Sequence, residues 1–185
     1  MLNLPNVLTW LRIFAVPLVV VLFYMPEGWA DPAAGLLFAA ASITDGFDGY
    51  LARRMNLTSR LGAFLDPVAD KLIVAIALVL LVSKDTQALV VLTAVIIIGR
   101  EIAISALREW MAEIGERTRV AVSWIGKLKT IAQMVGISMM LYRIELFGLP
   151  IYRMGLVLTA LAAILTLWSM VSYLRAAWPI LAKSA

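Results

Sequence analysis

Six apolar stretches, each close to the ~20 residues that cross a lipid bilayer, set the limits on what this chain can fold into. They run over 13–25, 32–50, 61–82, 88–107, 120–142 and 149–174. Between them they raise the hydrophobic content of the 185 residues to 63% and the mean hydropathy to +0.94. One water-soluble core of this size cannot hide so much apolar surface. The expected fold is therefore an all-α, polytopic membrane bundle of six transmembrane helices. The first stretch is short, so 5–11 reads as an amphipathic helix that leads in along the interface. No basic leader or small-residue cleavage site precedes it, so a cleavable signal peptide is not expected. Internal repeats, low-complexity tracts and long linkers are missing, and residues 1–185 read as one domain.

Lysine and arginine are distributed unevenly across this pattern. One side of the membrane would carry Arg12, Arg53, Arg54, Arg60, Arg108, Arg117, Arg119, Lys127, Lys129, Arg175 and Lys183. The other would hold Lys84, Arg143 and Arg153, beside Glu27, Asp31, Asp85 and Glu145. The positive-inside rule puts both termini and the loops around 51–60 and 108–119 in the cytoplasm. The net charge of +4 is modest, but its one-sidedness suits anionic lipid or an anionic substrate. Because the cations flank spans and form no separate patch, nucleic acid is not an expected partner.

With no cysteine and no histidine in the chain, thiolate chemistry, histidine ligands and Ser-His-Asp triads are excluded. What is left is carboxylates, hydroxyls, Lys, Arg and hard metal ions. Carboxylates are concentrated where Asp45-Gly-Phe-Asp48-Gly49-Tyr-Leu-Ala52-Arg53 is followed, after eight residues, by Gly62-Ala-Phe-Leu-Asp66-Pro-Val-Ala-Asp70. At ~100° per residue, Asp45, Asp48, Gly49 and Ala52 share one helical stripe, with Arg53 at its edge. Gly62, Asp66 and Asp70 form a second stripe on the next helix. Pro67 either kinks that helix or marks its first turn. The short loop between the two helices makes them antiparallel neighbours, so four carboxylates converge at the cytoplasmic end.

Four clustered aspartates repel one another, and several would stay protonated without partners. Divalent cations relieve this, and oxygen ligands alone select a hard ion such as Mg²⁺ or Mn²⁺. Two ions would balance four carboxylates and could bridge a diphosphate, as in two-metal phosphoryl-transfer sites. Gly49 and Gly62 lack side chains where a nucleotide or helix must come close, and Arg53 offers a forked donor to phosphate or base. A lone aspartate such as Asp31 or Asp85 is better read as a cap or a solvated loop residue. A divalent-cation transporter is the competing reading from another class, since intramembrane aspartates line ion pathways. Against it, all four aspartates lie toward one face, Arg53 would repel permeating cations, and no acidic relay continues to the other side.

The pattern D-x2-D-G-x2-A-R-x8-G-x3-D-x3-D is similar, without a departure, to the signature of the CDP-alcohol phosphotransferase family. That resemblance implies six transmembrane helices, a homodimer, a dinuclear Mg²⁺ or Mn²⁺ site at the cytoplasmic face, and transfer of a group from a CDP-activated donor to an alcohol with release of CMP. By position it implies Asp45, Asp48 and Asp66 as metal ligands. Asp70 would be the base on the acceptor hydroxyl and a further contact to a metal. Gly49, Arg53, Ser59 and Gly62 would meet the CDP-linked donor.

Three further segments carry a resemblance to the bacterial inner-membrane members of the family, whose donor is CDP-diacylglycerol and whose acceptor is glycerol 3-phosphate. They are Pro5-Asn-Val-Leu-Thr9-Trp-Leu-Arg12, Arg100-Glu-Ile-Ala-Ile-Ser-Ala-Leu-Arg-Glu-Trp-Met-Ala112 and Ala121-Val-Ser-Trp-Ile-Gly-Lys-Leu-Lys-Thr130. Asn6, Thr9 and Arg12 are placed to meet the nucleotide, although Asn6 serves equally as a cap after Pro5. Arg100 and Lys127 interrupt apolar runs, and with Arg108 and Arg119 they form a candidate pocket for the acceptor phosphate. Arg108, Arg117, Arg119 and Lys129 also read as anchors to anionic headgroups. Glu101 reads as a neutralising neighbour of Arg100 or a lysine. Another alcohol acceptor (inositol phosphate, serine or an amino alcohol) is the alternative within the family. The six Trp and nine Met read as interface belt and packing.

Overall fold

The computed structural model describes residues 4–55, 60–115 and 124–184. They form α1 (Leu4–Tyr24), α2 (Ala30–Met55), α3 (Arg60–Lys84), α4 (Ala88–Glu113), α5 (Trp124–Tyr142) and α6 (Ile151–Ser184). All are helices, and no strand forms among the described residues beyond an isolated bridge between Leu146 and Leu149. The expected apolar stretches lie along these six elements. The stretch 5–11 continues without a break into the first apolar run, so one helix stands where the sequence suggested two pieces. Pro5 falls in the first turn, where a missing N–H leaves no helical bond unmade. Pro67 lies within α3, beyond its first turn, which excludes the first-turn alternative. There it frees the carbonyl four residues back.

Consecutive helices run in alternate directions, and contacts at one end of the bundle show it. Lys84 at the end of α3 lies 3.7 Å from Asp31 at the start of α2 and donates to the Phe23 carbonyl near the end of α1. The Tyr152 hydroxyl on the first turn of α6 donates to Asp85 at 2.5 Å. Arg143, just past α5, sits 5.7 Å from both the Phe23 and Tyr152 rings. The residues expected opposite the aspartate end are thus gathered by the fold itself.

One apolar core recruits Val19 and Phe23 from α1, Phe38 from α2, Ile73 and Leu81 from α3, Ile97 from α4, Ile137 and Leu141 from α5, and Ala163 from α6. Among the described residues α1 packs along both α2 and α3, and α2 also packs on α5. The expected meeting of α2 and α3 at the aspartate end rests on side chains outside the described residues. The tightest crossing is α5 on α6, where a Cβ on Gly155 would stand 2.7 Å from the Gly136 carbonyl and 2.8 Å from the Met139 Cβ. Small residues at that point let the two backbones approach.

Outward the bundle is apolar: Phe14, Leu36, Val95, Ile102, Ile131, Ile164 and Trp168 are all exposed. Among the described residues two helices, Ala88–Glu113 and Ile151–Arg175, are long and apolar enough to cross a membrane. A large exposed apolar surface of this kind marks a protein whose solvent is lipid.

Candidate functional site

A polar cleft of about 170 Å³ opens in the half of the bundle away from the Lys84–Asp31 pair, with α3, α4, α5 and α6 each supplying part of its wall. Asp70 and Lys71 come from α3; Arg100, Glu101 and Arg108 from α4; Lys129, Thr130 and Gln133 from α5; Tyr173 from α6. Helical periodicity explains the selection. Arg100, Ile104 and Arg108 are four apart and so share a face, as do Lys129, Gln133 and Ile137. Residues of both sets face inward: Arg100 is 8% exposed, Lys129 4% and Gln133 6%.

The cations are held by specific partners. Lys129 donates to the Ser169 hydroxyl at 2.9 Å, which in turn donates to the Thr166 carbonyl at 3.2 Å. Arg108 donates to the Tyr173 hydroxyl at 3.3 Å, with its guanidinium 5.3 Å from the ring centre. Arg100 forms an ion pair with Glu101, while its Nε is buried without a hydrogen bond, as is that of Arg108. Among the described residues, four cations (Lys71, Arg100, Arg108 and Lys129) therefore face two carboxylates (Asp70 and Glu101) around one small cleft. Burying such an excess of like charge is costly unless an anion enters to offset it.

A second groove, apolar and about 460 Å³ in volume, runs between α2 and α5 past Ala39, Ile43, Ile131 and Val135. It shares Thr130 and Met134 with the polar cleft. A head group in the cleft could thus keep an apolar tail in the groove.

Of the residues singled out in the sequence, the fold brings Asp70, Arg100 and Arg108 together in the cleft. Thr9 and Arg12, at 1% and 2% exposure, are buried on α1 and do not line it. Ser59 and Arg119 lie outside the described residues. So do the side chains of Asn6, Asp45, Asp48, Arg53, Asp66 and Lys127, and the surroundings of Gly49 and Gly62, although all eight belong to described helices. Among the described residues no group of three acidic, histidine or cysteine side chains forms a metal cluster. Asp70 is the aspartate of the four whose side chain is described. Lys71, Gln133, Ser169 and Tyr173 escaped the sequence reading, and Lys129 was read there equally as a headgroup anchor. Lys129 had a usable signal, the Lys129-x3-Gln133 spacing on the buried face of an apolar helix. Ser169 and Tyr173 lie in the second half of the long apolar helix α6, where nothing in the sequence distinguishes them.

A family model described as CDP-alcohol phosphatidyltransferase matches residues 2–172. The chain belongs to that family. It is also similar to curated proteins named CDP-diacylglycerol–glycerol-3-phosphate 3-phosphatidyltransferase. Those from Salmonella choleraesuis (strain SC-B67), Shigella flexneri serotype 5b (strain 8401) and Escherichia coli (strain K12) are each 53% identical over 175 residues, covering 95% of this chain and 94% of the relative. For a CDP-alcohol phosphatidyltransferase the cleft has a plain chemical reading. It joins Asp70, the last aspartate of the signature, to a cationic wall sized for a small anion.

Proposed function

We propose that this protein transfers the phosphatidyl group of CDP-diacylglycerol to glycerol 3-phosphate, giving phosphatidylglycerophosphate and CMP. The observation that carries this reading is the cleft in which Asp70 stands beside four cations and two carboxylates. The excess of cations among the described residues of the cleft suits a phosphomonoester anion, and the identity to the curated relatives points to the same acceptor. Lys129, Arg100 and Arg108 hold the acceptor phosphate through charge-assisted hydrogen bonds. Asp70 takes the proton of the attacking hydroxyl. That oxygen bonds to the diacylglycerol-side phosphorus as the bond from that phosphorus to the CMP oxygen breaks. The acyl chains of the donor find an apolar wall in the α2–α5 groove next to the cleft.

Asp45, Asp48, Asp66 and Asp70 would hold two divalent ions, Mg²⁺ or Mn²⁺, which when bound supply charge neutralisation for the diphosphate. Their oxygen-only donor chemistry supports that choice, as does the opening of the cleft at Asp70. Gly49, Arg53, Ser59 and Gly62, with Asn6, Thr9 and Arg12, are the proposed contacts to CDP, and Arg119 and Lys127 extend the acceptor pocket. The apolar exterior and the alternating helices support six spans, with α1 beginning at the interface. The Lys/Arg distribution supports cytoplasmic termini, and the family resemblance supports a homodimer in a bacterial inner membrane.

The test is incubation of purified protein with CDP-diacylglycerol and glycerol 3-phosphate, glycerol, inositol phosphate or serine, identifying the lipid product by mass. Phosphatidylglycerophosphate with glycerol 3-phosphate, and little product with the others, is expected. Efficient formation of a different phospholipid would overturn the acceptor assignment.

A further inference from the structure

The Arg100–Glu101 pair has a geometry that simple neutralisation does not require. Adjacent residues on a helix point about 100° apart and do not ordinarily face each other. Here Glu101 nevertheless reaches back to Arg100, although Lys71, another cation, lines both cavities that Glu101 borders. Arg100 is 8% exposed while Glu101 is 31% exposed, so the guanidinium is fixed in the wall and the carboxylate is the partner with room to move. Glu101 also lines a separate apolar groove between α3 and α4, with Ile97, Ile98, Ile102 and Ser105. Its carboxylate therefore stands at the boundary between the polar cleft and that groove.

The chemistry gives this position a purpose, on the reading proposed above. The acceptor phosphate is not consumed: the phosphomonoester that enters with glycerol 3-phosphate leaves attached to the lipid product. A cleft that grips the substrate through that group grips the product through it as well. Uniform binding of this kind favours capture and opposes turnover. We infer that Glu101 is a positioning residue that competes with the phosphomonoester for Arg100, yielding the guanidinium as the acceptor binds and reclaiming it as the product departs. The Nε of Arg100 is buried without a hydrogen bond, so the same guanidinium has a donor left for the phosphate while Glu101 still holds another of its nitrogens. The exchange is then a sliding substitution, and the guanidinium is never stripped of anions.

The experiment measures equilibrium binding of glycerol 3-phosphate, without donor, to the purified protein and to its Glu101→Gln variant, together with steady-state turnover of both. Removing the competitor should tighten glycerol 3-phosphate by about fivefold, which corresponds to about 1 kcal/mol, the scale of a partly exposed ion pair. Product inhibition should strengthen by a similar factor and kcat should fall, while the KM for CDP-diacylglycerol stays unchanged. In an Arg100→Gln background the Glu101→Gln tightening should vanish, because the effect passes through Arg100. If Glu101→Gln does not fold, Glu101→Asp tests the same point, keeping the charge but shortening its reach, and a smaller tightening of the same sign is expected. Unchanged or weakened binding in the variant, or tightening that persists without Arg100, would overturn the inference. No binding of glycerol 3-phosphate to the unaltered protein would instead remove the acceptor reading on which it rests.

Discussion

At the scale of single residues, the account depends on cations placed where lipid-exposed charge is expensive. Arg100 and Arg108 were legible in the sequence because each breaks an apolar run, and their spacing of eight puts them on one face. Lys129 was not, because a lysine near a helix start reads equally well as a headgroup anchor, and only packing shows that it turns inward to Ser169. A hydrogen bond to a charged group contributes about 1.5–3 kcal/mol. Arg100→Gln should therefore lower kcat/KM for glycerol 3-phosphate by roughly 10- to 150-fold. Ser169→Ala leaves the Lys129 charge in place and loosens its aim. It should raise the KM for glycerol 3-phosphate by about 3- to 10-fold, less than loss of a cation itself, and Ser169→Thr should restore it. Steady-state kinetics with each substrate varied separately checks both, and equal losses toward CDP-diacylglycerol would place these residues in the donor site. The same logic covers the signature. Asp66→Asn, or EDTA on the unaltered protein, should abolish CMP release, and full activity in either case would end the metal proposal.

At the scale of elements, helix positions were readable from hydropathy, whereas helix neighbours were not. That α1 packs along both α2 and α3 was not readable, because shape complementarity between apolar faces is not written in loop length. The α5–α6 crossing was equally hidden, since Gly136 and Gly155 look like any helical glycines until their backbones are seen together. Gly155→Ala places a methyl against the Gly136 carbonyl and should destabilise by about 1–3 kcal/mol, as overpacking does. Gly99 on α4 meets nothing within 4 Å, so Gly99→Ala should stabilise by about 0.5–1 kcal/mol through helix propensity alone. Thermal unfolding in detergent should move Tm in opposite directions for the two variants.

The α3–α4 loop offers a pH test. Asp85 accepts from the Tyr152 hydroxyl and the Gln87 N–H. Those bonds, with Arg143 nearby, hold its carboxyl below the ordinary value of 3.8 despite some desolvation. A depressed carboxyl stabilises the fold above its unfolded pKa and loses that contribution as pH falls through the folded one. The tie between this loop and α6 should thus be intact above about pH 4 and weaken below it. Asp85→Asn should flatten the acid limb of the stability profile, and an identical acid limb in both proteins would show that the tie contributes nothing.

At the scale of the whole molecule, the all-helical bundle was legible because apolar length alone dictates it, and the family because the aspartate spacing is so specific. The site was half legible. Asp70 is written in a specific motif, while the cations around it come from α3, α4 and α5, far apart in sequence. The proposed six spans, with the Lys/Arg excess on the side of the termini, put both ends of the chain in the cytoplasm. A reporter active only there, fused to Ala185, should give signal, and a periplasmic signal would mean that a span had been miscounted. The central claim is that a cationic cleft beside Asp70 reads the phosphate of the acceptor. The most direct measurement is the ratio of kcat/KM for glycerol 3-phosphate over glycerol, taken in the unaltered protein and in Lys129→Gln. A strong preference for the phosphorylated acceptor is expected, falling at least about tenfold in the variant, with the KM for CDP-diacylglycerol unchanged. An unaltered protein that uses glycerol as well as its phosphate, or a variant that keeps the full preference, would contradict it.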